Sequence, residues 1–186
     1  MKRNIAHDII IRAKDGDADA FGQLMRQHQN MVFSLALKML ADEQEAEDMV
    51  QDVFVHIWKH IRQYDPRKGD FAAWVYAVAA HACLDKIKRQ KPLVALTDDK
   101  HVFCKFASGI TPELQLCNKD WVSIIRVLAS RLSPKQRIVF TLRMLENLSI
   151  EEITAITGTD PNKIKSNLYV ARQKIMEQLK RLGYGK

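Results

Sequence analysis

Apolar residues recur at the three-and-four spacing of a helix face along most of the 186-residue chain. Phe21, Leu24, Met25, Met31, Val32, Leu35, Met39 and Leu40 fall on one side of a single helix. Ala46, Val50, Val53, Ile57 and Ile61 draw a second stripe, which leaves Glu45, Asp48, Asp52 and His56 on the outer side. Asp65-Pro66 closes that helix, because proline disfavours helical geometry in the residue before it. Phe71 to Lys88 reads as a third, alanine-rich helix. No stretch alternates as a half-buried strand would, so the expectation is an all-α chain.

Beyond Lys91-Pro92 the pattern fails. Pro92, Gly109 and Pro112, with Thr97, Asp98, Asp99 and Ser108, mark a linker whose Val102, Phe103 and Phe106 are apolar enough to dock on a surface. Helices resume at Trp121, with Ile124, Ile125, Leu128 and Leu132 in register. The next enters at Ser133-Pro134 and carries Ile138, Val139, Leu142 and Leu145 inward. Ser149 and Glu152 spell a capping box, Gly158 turns the chain, and Asp160-Pro161 opens a further helix. That last helix buries Ile164 and Leu168 and presents Lys163, Lys165, Ser166, Asn167, Tyr169, Arg172 and Lys174. A helix, a glycine turn and a basic helix make a helix-turn-helix, whose second helix suits a DNA major groove. The layout is therefore two small helical domains, residues 1–92 and 119–186, joined by a linker over 93–118.

Charge sharpens this. The net charge of +7 suits a polyanionic partner, yet it is unevenly placed. From Ala41 to Phe54 six acids stand without a base: Asp42, Glu43, Glu45, Glu47, Asp48 and Asp52. From Tyr64 to Lys91, by contrast, Tyr64, Phe71, Trp74 and Tyr76 precede Lys86, Lys88, Arg89 and Lys91. Rings beside cations can stack on unpaired bases and track phosphates; the plainer reading is an amphipathic helix with an aromatic core. An acidic block and a basic helix together imply two partners of different kinds.

Other chemistry is weakly signalled. Cys83, Cys104 and Cys117 lack the spacing of a disulfide framework or a C-x-x-C site, and His101 with Cys104 is a poor start for a metal site. His56 and His60 could share a metal with Asp48 and Asp52, but no glutamate completes the zinc-protease pattern. No glycine-rich phosphate loop and no nucleophile motif appears, so neither catalysis, a cofactor nor a metal is expected. No run of about 18 apolar residues suggests a membrane span. The start, MKRNIAHDIII, lacks a small-residue cleavage site, and a cytoplasmic protein is expected.

The order of A-E-D-M-V-Q-D-V-F (Ala46 to Phe54), Tyr64-Asp65-Pro66, F-A-A-W-V-Y (Phe71 to Tyr76), Asp85 and the helix-turn-helix resembles the bacterial sigma factors of the extracytoplasmic-function type. The resemblance implies a polymerase-docking surface at Asp48, Val50, Gln51, Asp52, Val53 and Phe54, set against the clamp helices of core RNA polymerase. It implies promoter melting and −10 recognition by Tyr64, Phe71, Trp74, Tyr76 and His81, beside the basic run of Lys86, Lys88 and Arg89. It assigns −35 reading to the last helix through Lys163, Lys165, Ser166 and Arg172. Core polymerase, through its clamp helices and flap, and promoter DNA, both duplex and melted, are the implied partners, with an anti-sigma factor as a further candidate. The alternative is a stand-alone helix-turn-helix regulator whose first helices sense or dimerise. Ala72, Ala77 and Ala80, Thr154 and Thr157, and Asn167 and Val170 depart from residues frequent in the family.

Overall fold

The computed structural model describes residues 2–89, 124–125, 127–181 and 183–184, with side chains from residue 7 onward; among these the chain is helical and no strand occurs. Helix α1 (Lys2–Lys14) is an element the apolar pattern above does not anticipate. Its Ile9, Ile10 and Ala13 fall on one face and are buried. Asp17 then ends the connection by capping α2 (Ala18–Leu40), accepting from the Asp19 and Ala20 amides. Arg12 reaches across the turn to the same carboxylate at 2.6 Å, and the amide and guanidinium donors together hold Asp17 below the usual carboxylate range.

Asp42 caps α3 (Glu43–His60) through the Glu45 amide at 2.8 Å. The helix tightens into a 3-10 turn over Ile61–Gln63, ahead of Asp65-Pro66. Asp70 then accepts from the Ala73 amide at 2.7 Å and starts α4 (Phe71–Arg89). Residues 124–125 and 127–130 are helical, and α5 (Pro134–Phe140) follows Ser133. At Thr141–Leu145 the helix widens into a π turn, which no sequence signal announced. The capping box forms as expected at the start of α6 (Ile150–Thr157): Ser149 N–H donates to Glu152 Oε2 and Glu152 N–H to Ser149 Oγ. Gly158 ends α6 at φ 63°, a left-handed conformation where a side chain would be strained. Asp160 caps α7 (Pro161–Arg181).

The first four helices enclose one core, centred on Val32, Leu35, Met39, Val53, Ile57 and Val75, all fully buried. That core does not stop at the first domain. Ile138, Val139, Leu142, Ile153, Ile164 and Leu168 from the helix-turn-helix half are buried with it. A second core holds Ile124, Leu128, Ala129, Leu132, Phe140, Ala171 and Ile175. The helix-turn-helix is thus packed on one side against α2 and α4, and on the other against the helical turn that precedes it.

Candidate polymerase and nucleic-acid interfaces

Three surfaces follow from this packing. The first is the outer face of α3. At about 100° per residue, Asp48, Gln51, Asp52 and Val55 project in nearly one direction, and all four are exposed. Among the described residues neither Asp48 nor Asp52 takes part in an ion pair. Val55 is 53% exposed amid this charge, an apolar contribution that spacing alone could have revealed. Two sequence assignments fail here. Val53 and Phe54 are core residues, 0% and 3% exposed, because they point toward α2. Phe54 lies edge-on to Phe21 at 6.4 Å, and Val50 is half-buried against the same core. His56 and His60 stack at 4.2 Å on the polar side, and the His60 ring donates to the His56 carbonyl. Burial, then the charges of His60 and Lys59, push the His56 imidazole below its ordinary value. No group of three metal-binding side chains gathers among the described residues.

The second surface is α4 with the loop before it. Here the expected aromatic platform is mostly core. Tyr64 and Phe71 are each only 6% exposed, and their rings meet edge-on at 5.2 Å. Trp74 closes the cluster at 5.6 Å from Tyr64 and 5.7 Å from Phe71, and it is half-buried. The Tyr64 hydroxyl donates to the Gly69 carbonyl at 3.0 Å, which pins the loop; burial, then Asp70 and Asp65, raise its pKa. Tyr76 is half-buried, its hydroxyl buried without a hydrogen-bond partner, and burial first and the charge of Glu146 second hold its proton on. Tyr64 and Phe71 therefore cannot stack on bases in this arrangement, since apolar neighbours already cover them, whereas Tyr76 is half-buried. The basic run is also partly engaged. Lys86 pairs with Glu45 of α3, and Lys88 with Asp85 at 2.9 Å, leaving Arg89 exposed. His81 is exposed, but its ring Nε2 lies 2.6 Å from the Ile156 carbonyl of α6. A carbonyl only accepts, so Nε2 carries the proton.

The third surface is α7. Ile164, Leu168, Ala171 and Ile175 are buried and define its inner side. Directly opposite stand Asn162, Ser166 and Gln173, flanked by Tyr169 (66% exposed) and Val170. The predicted cations divide between the flanks: Lys163 and Lys174 on one, Lys165 and Arg172 on the other. Two of them lean inward. Arg172 donates to the Met144 sulfur at 3.2 Å and Lys174 to Gln136 Oε1 at 3.2 Å, while Asn167 bonds back to the Lys163 carbonyl. Lys163, Lys165, Ser166 and Tyr169 remain free to meet a groove. Thr154 and Thr157, departures from the family pattern, return their hydroxyls to the Ile150 and Ile153 carbonyls and so cost α6 little.

Several residues with a part in these surfaces carry no local sequence signal. Lys14 donates to the Tyr64 carbonyl at 2.6 Å and lies 5.4 Å from its ring centroid, so α1 props the α3–α4 loop. Lys38 pairs with Glu146 at 2.6 Å across 108 positions. Arg137 is 6% exposed and donates to the Leu40 carbonyl at 3.3 Å. Trp121, Val102, Phe103, Phe106, His101, Cys104 and Cys117, singled out in the sequence, lie outside the described residues.

Residues 24–92 match the sigma-70 region 2 family and residues 123–175 match sigma-70 region 4, together about two thirds of the chain. The chain is 27% identical over 180 residues to the ECF RNA polymerase sigma factor SigW of Bacillus subtilis, covering 93% of this chain and 96% of that one. It is 26% identical over 185 residues to the ECF RNA polymerase sigma-E factor of Escherichia coli, covering 94% and 95%. The solved structure of CnrH in complex with the cytosolic domain of CnrY is similar in fold, with a TM-score of 0.61 at 20% identity, covering 93% of this chain and 96% of that one. So is the sigma factor RpoE of Bartonella quintana, solved with the anti-sigma factor NepR, at 0.59 and 18% over 86% and 96%. None of these relatives favours a stand-alone regulator. The two halves occur in the order and with the helix-turn-helix that the motifs implied, and the chain belongs to the extracytoplasmic-function branch of the sigma-70 family, as a sigma factor that directs RNA polymerase to promoters.

Proposed function

We propose that this sigma factor docks on core RNA polymerase through the exposed face of α3, with Asp48, Gln51 and Asp52 as polar contacts and Val55 as the apolar one. The observation that carries this is the pair of unneutralised carboxylates. Acids in a basic protein are readily paired from within, as Glu45 is by Lys86, yet Asp48 and Asp52 stay free among the described residues. Complementary charge at a rim mainly sets approach rate and orientation, while the apolar residue beside it supplies buried area. On this reading the polymerase performs the chemistry, and this chain acts with it in the cytoplasm.

On the same reading α4 takes up the melted strand at the −10 element through His81 and Trp74, with Arg89 and Lys88 following phosphates. Helix α7 reads the −35 element, with Ser166 and Tyr169 toward bases and Lys163 and Lys165 toward phosphates. Residues 1–92 and 119–186 then serve as the two promoter-reading domains. An anti-sigma factor is a further partner, supported by the likeness in fold to a sigma factor solved with such a partner. The test is the double variant Asp48→Lys/Asp52→Lys. It should lose core-polymerase binding in a competition assay while its circular dichroism stays helical. Normal competition for core enzyme by the double variant would remove α3 from the interface.

A further inference from the structure

Where α7 passes the π turn, a cation of the reading helix rests on a thioether. Arg172 Nη2 donates to the Met144 sulfur at 3.2 Å, and both residues are exposed. Met144 keeps 43% of its surface open to solvent, whereas Met39 and Met49 lie in the core at 0% and 3%. Met25 and Met31 are half-buried. Among the described residues Met176 of α7, at 54%, is the other exposed thioether. A thioether is a weak acceptor, so Arg172 leaves it at little cost. The guanidinium is thus held beside the outer line of Asn162, Ser166 and Gln173 without being committed there.

The sulfur of Met144 is open to oxidants in a way that Cys83 is not. Cys83 is buried, and burial pushes its thiol up to about 12, so it is neutral and unreactive at pH 7. A hydroperoxide converts an exposed thioether to a sulfoxide. Sulfur gives an electron pair to one peroxide oxygen as the O–O bond breaks. With hydrogen peroxide, the leaving hydroxide takes the proton of the transferred oxygen and departs as water. The new S–O oxygen accepts hydrogen bonds far better than the sulfur did, and a cationic donor is already within reach. Bonds with an ionised partner are roughly twice as strong as neutral ones.

We propose that Met144 is a reversible oxidation site that governs the DNA contact of Arg172. As the thioether it releases the guanidinium to a phosphate, and as the sulfoxide it retains it. The proposal rests on the reading of α7 as the −35 helix. Met144 belongs to neither buried core, so oxidation removes one phosphate contact and leaves the fold intact. Methionine sulfoxide reductases, drawing on a dithiol, restore the thioether.

To test this, the full-length chain is treated with hydrogen peroxide, freed of it with catalase and incubated with dithiothreitol. The dithiol reverses disulfides and leaves sulfoxides in place. Peptide mass spectrometry locates the added oxygen, and anisotropy follows binding of a short fluorescein-labelled duplex of random sequence across a salt series. The oxidised chain should bind about three- to tenfold more weakly at about 0.1 M salt, its salt slope lower by about one, as for a single phosphate contact. Arg172→Ala should show the same loss untreated and no further loss with peroxide. Met144→Leu should keep wild-type binding after peroxide although its Met176 is oxidised. Met144→Gln, which puts a carbonyl oxygen near the place of the sulfoxide oxygen, should bind as weakly as the oxidised wild type. Reductases acting on both sulfoxide epimers should restore the oxidised chain. Full binding with Met144 converted, equal loss in oxidised Met144→Leu, or a Met144 that resists the dose converting Met176 overturns the proposal. A salt slope that falls with Lys165→Ala but not with Arg172→Ala also overturns it, and leaves the −35 reading of α7 standing.

Discussion

Replacing Arg137 with methionine should stabilise the folded chain. The guanidinium is 6% exposed at the junction of α5 with α2 and α4, and burial drives its pKa down to about 10. Holding the charged form there costs roughly 3 kcal/mol relative to water, at 1.36 kcal/mol per unit. What it receives in return is small. One hydrogen bond, at 3.3 Å to the Leu40 carbonyl, contributes about 1 kcal/mol. Its position near the C-terminal end of α2 adds about 0.5 kcal/mol. Its Nε atom is buried without a partner. Cys83 offers no charge to help, since burial pushes its thiol up to about 12 and leaves it neutral at pH 7.

Methionine fills most of the same volume without a charge, so the balance favours Arg137→Met by about 1–2 kcal/mol. For a chain of this size that is a rise in Tm of about 2–8 °C, read by circular dichroism or calorimetry. The sign with pH is fixed too. The folded pKa lies below the unfolded one, so the penalty is present at all pH below about 10 and is relieved as pH rises beyond it. The wild type should approach the variant only in that alkaline window. A fall in Tm for Arg137→Met at pH 7 would refute the reasoning, and would make the bond to α2 worth more than the desolvation.

The other expectations are more local. His81→Ala should fold and bind core polymerase, yet form a promoter bubble poorly by permanganate reactivity; a full bubble would take the strand away from this edge. Lys165→Ala should lower the salt slope of −35 duplex binding by about one, and an unchanged slope would leave Lys165 in water. Ser149→Ala should cost about 1 kcal/mol of stability through the lost cap on α6, measured by urea unfolding, and no loss would make the capping box ornamental.

Much of this protein was legible because its signals are local. The Ser149–Glu152 box and Asp160 start helices through bonds spanning two or three residues, and Gly158 marks the turn by its backbone alone. The buried stripes of α2 and α7 followed from spacing in the same way. Other features depend on what a face meets. Phe54 and Val53 lie in an acidic motif, and only the presence of Phe21 and α2 makes them core. Tyr64 and Phe71 have the composition of a base-stacking platform, but each finds the other first. Helix α1 has little amphipathic contrast, so Ile9, Ile10 and Ala13 become a stripe only when α2 and the 3-10 turn at Ile61–Gln63 cover them. The Lys38–Glu146 pair and the His81–Ile156 bond join residues 108 and 75 positions apart. No window of sequence contains both ends.

The most direct measurement of the central claim is reconstituted transcription. Purified full-length chain is added to core RNA polymerase lacking any other sigma factor, on fragmented DNA from the same genome, and transcript starts are mapped. The account predicts new, discrete start sites that share two short upstream elements, appearing only when chain and core are both present and vanishing with Asp48→Lys/Asp52→Lys. Starts no more frequent or focused than those of core enzyme alone would contradict it.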